Sequence, residues 1–179
     1  MNRLGNSFSH SAGQARSSMD TIHVILQRLH DHQVEFVVVG GMAGIIHGSS
    51  IVTEDLDICA PFTTENLSRL LAALQDSNPR HRMPTHRPPL PNDPETLATF
   101  KNLYIQSDLG QLDVLSTIDN VGSYEQVRLD STAVDLGGLA LRVLNLDALI
   151  RAKATISRPK DRQAVAELKA LLERHKQQE

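Results

Sequence analysis

The stretch from Val37 to Ile58 constrains the fold more than any other. Val37, Val38 and Val39 form a short apolar run that ends on Gly40 and Gly41. Such a run suits a strand buried on both faces, followed by a turn. Met42 to His47 has room for one or two helical turns, and Gly48 stops them. A second strand then carries Asp55 and Asp57. Residues two apart in a strand share a face, so the two carboxylates stand side by side while Leu56 and Ile58 face the core. Two adjacent carboxylates repel unless a cation lies between them. Hard divalent cations such as Mg²⁺ or Mn²⁺ take oxygen ligands of this type. The stretch therefore reads as part of a metal-dependent site for phosphate chemistry.

The remaining chain suits one domain that mixes strands and helices, with a helical appendage. Its 179 residues are few for two domains, and 40% hydrophobic content supplies a core. With no Trp and 3% aromatics, that core must be built from Leu, Val, Ile and Ala. Residues 1–17 read as a flexible Ser- and Gly-rich tail, and 18–179 as the domain. Ser17 or Ser18 caps a helix to about His32 whose apolar face is Ile22, Ile25, Leu26 and Leu29. A second helix follows Thr63 or Thr64, with Leu67, Leu70, Leu71 and Leu74 as its stripe. Phe100 to Ile105 and Gln111 to Leu115 form a hairpin, which puts Asp113 on a strand between Leu112 and Val114. Ser131 to Asp135 and Leu139 to Val143 form another. C-terminal helices begin at Asn145 and at Pro159.

Residues 78–96 break this rhythm. Six of the eight prolines fall between Pro79 and Pro94, interleaved with Arg80, His81, Arg82, His86 and Arg87. The expectation is an irregular loop with no regular element. It lacks the aromatics that would stack bases.

Three carboxylates can hold two divalent ions, one at an attacking oxygen and one at a leaving pyrophosphate. Asp55, Asp57 and Asp113 supply them if their strands are neighbours. Gly40 and Gly41 offer backbone N–H groups to phosphate with no side chain in the way. Ser49 and Ser50 add hydroxyl donors. His47 is read as a helix-terminal histidine, and Thr53 either reaches the site or is an ordinary strand residue.

Gly40-Gly41, then Thr53-Glu54-Asp55-Leu56-Asp57, then Leu112-Asp113-Val114 resembles the nucleotidyltransferase superfamily. The similarity extends to small bacterial nucleotidyltransferase-like proteins, including toxin components of abortive-infection type toxin–antitoxin systems. Met42-Ala43, His47-Gly48, Leu149-Ile150-Arg151-Ala152-Lys153 and Arg158-Pro159-Lys160-Asp161 fit the same pattern, so the resemblance covers about residues 34–165. It implies an α/β (α+β) fold with a small mixed sheet packed against helices and C-terminal helices, Mg²⁺, a nucleoside triphosphate donor such as ATP, and a hydroxyl acceptor on RNA, protein or a small molecule. It implies an antitoxin partner if the toxin branch applies. It also favours Lys153, then Lys160, as triphosphate contacts. Similar proteins often carry Arg two residues before the Thr of the acidic motif, where this chain has Ile51. That departure leaves open a non-catalytic module that binds nucleotide or RNA. The single cysteine, Cys59, excludes an internal disulfide. No apolar run approaches the roughly 20 residues of a membrane span. With no signal-peptide core either, a cytoplasmic protein is expected.

Overall fold

The computed structural model describes the backbone of residues 7–83, 85–154 and 159–177, and the side chains of 19–83, 85–154 and 162–177. Helix α1 runs from Ser7 to Asp31. Its predicted apolar face is in place, with Ile22, Ile25, Leu26 and Leu29 all buried. The helix starts at Ser7 rather than at Ser17 or Ser18, so it takes in most of the stretch read as a tail. In chain order there follow β1 (Val37–Val38), α2 (Gly40–Ile46), β2 (Asp55–Cys59), α3 (Thr64–Leu74) and β3 (Arg80–His81). Next come α4 (Pro94–Ala98), β4 (Asn102–Ser107), β5 (Gly110–Leu115), β6 (Thr117–Ile118), β7 (Gly122–Ser123) and α5 (Tyr124–Leu129). The chain ends in β8 (Ser131–Leu136), β9 (Leu139–Leu144), α6 (Leu146–Lys153) and α7 (Pro159–Lys176).

Seven strands form one mixed sheet in the order β3-β4-β5-β2-β1-β9-β8. The β4–β5 and β8–β9 hairpins lie where the alternating apolar runs place them. Among the described residues, only β2–β5 and β1–β9 pair in parallel. The central strands are fully apolar where they meet the core: Val37, Val38, Leu56, Ile58, Leu112, Val114 and Val143 are at most 1% exposed. Helix α1 packs on α3 and touches β2, β5 and β9, while α6 packs on α7 and α2.

The Pro-rich segment departs from expectation. Arg80 and His81 form β3 at the sheet edge, paired with Gln106 and Ile105 of β4. Prolines lack a donor but keep a carbonyl. Here the carbonyls of Pro79 and Pro88 accept from Leu90 and His81 at 3.0 and 2.9 Å, and the non-proline N–H of Arg82 donates to Tyr104 at 2.7 Å. The His81 ring packs against Phe100 at 5.2 Å, and Leu90 is buried. The segment is thus pinned to the sheet at both ends. The short helices α4 and α5 were also not anticipated. Asp93 caps α4, accepting from the N–H groups of Glu95 and Thr96.

Candidate active site

The parallel pairing of β2 with β5 decides the site. Its register sets Asp57 opposite Asp113, and Asp55 opposite Gln111. Register partners in a parallel ladder project to one face, so Asp55, Asp57 and Asp113 converge. One carboxylate oxygen from each lies within 4.8 Å of the other two. The adjacency that the sequence required for Asp113 is therefore present.

The Gly-Gly turn is built against these carboxylates. Gly40 has φ +60°, and a Cβ there would lie 2.0 Å from Oδ2 of Asp57. Only glycine satisfies both conditions. A Cβ on Gly41 would lie 2.7 Å from Oγ1 of Thr53. The Gly41 N–H donates to the Asp57 carboxylate. Thr53, in turn, donates its hydroxyl to Oδ1 of Asp55 at 3.0 Å, which answers whether it reaches the site.

The cost of this crowding falls on Asp57. Burial, then the charges of Asp55 and Asp113, push its pKa up to about 7, against which the Gly41 N–H and the Lys153 ammonium pull down. Burial also raises Asp113, opposed by the guanidinium of Arg82. Three convergent oxygen donors whose charges repel one another are a donor set suited to a hard divalent cation such as Mg²⁺ or Mn²⁺.

Arg82 was not singled out for the site by its sequence. Its Nη2 donates to both oxygens of Asp113 at 2.5 and 2.6 Å, and its Nη1 donates to Gln111. The contact depends on β3 pairing with β4, and hence on the Pro-rich segment folding back, so no local signal near Asp113 announces it.

Ser49 and Ser50 are engaged by the C-terminal helix. The N–H and hydroxyl of Ser50 both donate to Oε1 of Glu167 on α7, at 2.6 and 2.9 Å. The Ser49 hydroxyl accepts from the Ile51 N–H at 3.2 Å. His47 takes a structural place, its Nε2 lying 2.8 Å from the Leu144 carbonyl. Of the basic C-terminal residues, Lys153 acts on Asp57 through its charge and lines a 210 Å³ cleft with Arg162 and Lys169. Arg151 instead pairs with Asp130 and Asp147, both at 2.7 Å. The Lys160 side chain and all of Arg158 lie outside the described residues.

No family model matches the chain, and no curated protein matches it in sequence. Solved structures do match. The antibiotic-resistance factor ANT(2'')-Ia aligns at TM-score 0.53 and 13% identity, over 89% of this chain and 91% of that one. An antigenic nucleotidyltransferase-like protein from Paracoccidioides brasiliensis aligns at TM-score 0.52 and 14% identity, over 87% of this chain and 74% of that one. The Megavirus polyadenylate synthase aligns at TM-score 0.53 and 11% identity, over 94% of this chain but only 38% of the viral protein. At such identities it is architecture that is shared. The mixed sheet and its flanking helices share a nucleotidyltransferase-like fold with these structures.

Proposed function

We propose that this protein transfers a nucleoside monophosphate from a nucleoside triphosphate to a hydroxyl acceptor on RNA, protein or a small molecule. The observation that carries the proposal is the convergence of Asp55, Asp57 and Asp113 beside a Gly-Gly turn that admits no side chain. These three carboxylates would hold Mg²⁺ or Mn²⁺, which supplies charge neutralisation at the transferred phosphoryl group and at the leaving pyrophosphate. Asp57 and Asp113 enter that role as poorly solvated carboxylates, so a cation relieves their repulsion. Asp113 would accept the proton of the acceptor hydroxyl or join the cation shell. Thr53 fixes the rotamer of Asp55 through its hydrogen bond. Gly40 and Gly41 keep the turn close to the carboxylates, and Lys153 and Lys160 add positive charge for the triphosphate.

The test is nucleotide binding with and without Mg²⁺, for the wild type and for Asp55→Asn/Asp57→Asn. Mg²⁺-dependent binding lost in the double variant is the expected result, and equal binding in all four cases would refute the metal assignment. Transfer of labelled nucleotide to RNA or protein then separates an enzyme from a binding module, a reading favoured by Ile51 standing where similar proteins often have Arg. Growth arrest on expression, relieved by a small neighbouring gene product, would place the activity in a toxin–antitoxin pair.

A further inference from the structure

The site contains a cation of its own. Arg82 is partly buried, and its guanidinium spans Asp113 and Gln111, which are separated by one residue on β5. Its backbone is fixed as well, through the Arg82 N–H on Tyr104 and the β3–β4 pairing beside it. Arg82 therefore cannot move far from the carboxylates by loop motion alone. What it can change is which acceptor its flexible side chain meets. With Asp113 facing Arg82, the third carboxylate already has a counter-charge. A divalent cation that takes Asp113 as a ligand competes with that ion pair, because both oxygens of Asp113 already face Nη2 of Arg82 and the single negative charge is then shared between two cations. The displaced guanidinium then remains beside the site with several N–H donors to satisfy. A partly buried guanidinium left without an acceptor is costly. The anion that arrives with the metal is a phosphate, whose oxygens suit the planar geometry of arginine.

We propose that Arg82 is an exchangeable counter-cation. It holds Asp113 before metal binds and passes to the phosphate oxygens of a nucleoside triphosphate when Asp113 turns to the metal. This rests on the nucleotidyltransferase reading above. It gives the Pro-rich segment a task, since that segment delivers Arg82. It also supplies from residue 82 a phosphate contact that Ile51 cannot make. A purely structural ion pair would tie the segment to β5 but would not respond to phosphate.

The experiment titrates Mn²⁺ alone, and then inorganic tripolyphosphate at saturating Mn²⁺, into the wild type, Arg82→Gln and Arg82→Lys. Circular dichroism melts on all three confirm that they are folded. The exchange predicts that Arg82→Gln binds Mn²⁺ alone several-fold more tightly than the wild type, because a competitor has gone. It predicts that the same variant binds tripolyphosphate about tenfold more weakly, the scale of one charge-assisted contact. Arg82→Lys, which keeps the charge without the planar fork, falls between the two. If Arg82→Gln unfolds, Arg82→Lys carries the comparison alone, and affinities equal to those of the wild type then overturn the proposal. Mn²⁺ affinity unchanged in Arg82→Gln overturns the competition. Tighter Mn²⁺ with unchanged tripolyphosphate overturns the hand-over. Mn²⁺ binding absent from the wild type and both variants overturns the metal reading itself, and the exchange with it.

Discussion

Asp57 shows what the site asks of a single residue. An unfolded aspartate titrates near 3.8, and here burial and two neighbouring carboxylates lift it to about 7. Between those values the folded chain keeps a proton that the unfolded chain has lost. Stability from this group is therefore fully present below about 4, falls as pH rises, and is gone above about 7. Asp57→Asn removes the liability. The wild type is expected to lose melting temperature between pH 5 and pH 8 by more than Asp57→Asn does. At pH 8 the variant should melt higher, on the order of a few degrees. Parallel pH profiles for the two proteins would contradict the crowding. Mg²⁺ at pH 8 should raise the melting temperature of the wild type and leave Asp57→Asn less affected, since a ligand of the folded state alone stabilises it. Asp55 and Asp57 were legible in the sequence because a two-residue spacing is a local fact. The raised Asp57 was not, because its causes include a residue 56 positions away.

At the scale of elements, the strand that brings in Asp113 was legible, and so was its flanking hydrophobic pattern. Its neighbour was not, since periodicity assigns faces but says nothing of strand order. The prolines misled for a related reason. They exclude a central strand, yet their carbonyls still accept, and the edge position of β3 requires little more. Holding β1 and β2 in register falls partly to Asn66, a residue the helical stripe of α3 does not flag. It is 3% exposed. Its side chain accepts from the Glu35 N–H at 2.7 Å and donates to the carbonyls of Glu35 and Pro61 at 3.0 and 3.2 Å. It thus clamps the entry to β1 against the exit from β2. Asn66→Ala would leave those backbone groups without their partner, at a cost of about 1–3 kcal/mol. In a chain of this size that corresponds to a fall of roughly 2–10 °C in melting temperature. A change under about 1 °C would show that water replaces the clamp freely.

Across the whole molecule, the loop between α2 and β2 is held from the far end of the chain. His47 reaches the Leu144 carbonyl, and Ser50 gives both its donors to Glu167. Those two donors also hold the Glu167 carboxyl below the usual carboxylate range. A serine hydroxyl and amide that together grip an anionic oxygen have the chemistry of a phosphate contact, which is the role the sequence assigned to Ser50. In the folded chain that grip is filled by a carboxylate from α7. Phosphate binding at Ser50 must therefore displace Glu167, just as metal binding at Asp113 is proposed to displace Arg82. Glu167→Ala removes the competitor and leaves the serine donors to solvent. Tripolyphosphate at saturating Mn²⁺ is then expected to bind more tightly than to the wild type. The melting temperature should change little, because Glu167 is only partly buried and its bonds to Ser50 lie at the surface. Weaker binding would reverse the assignment. It would mean that Glu167 shapes the loop for phosphate rather than standing in its place, and that the C-terminal helix is part of the competent site.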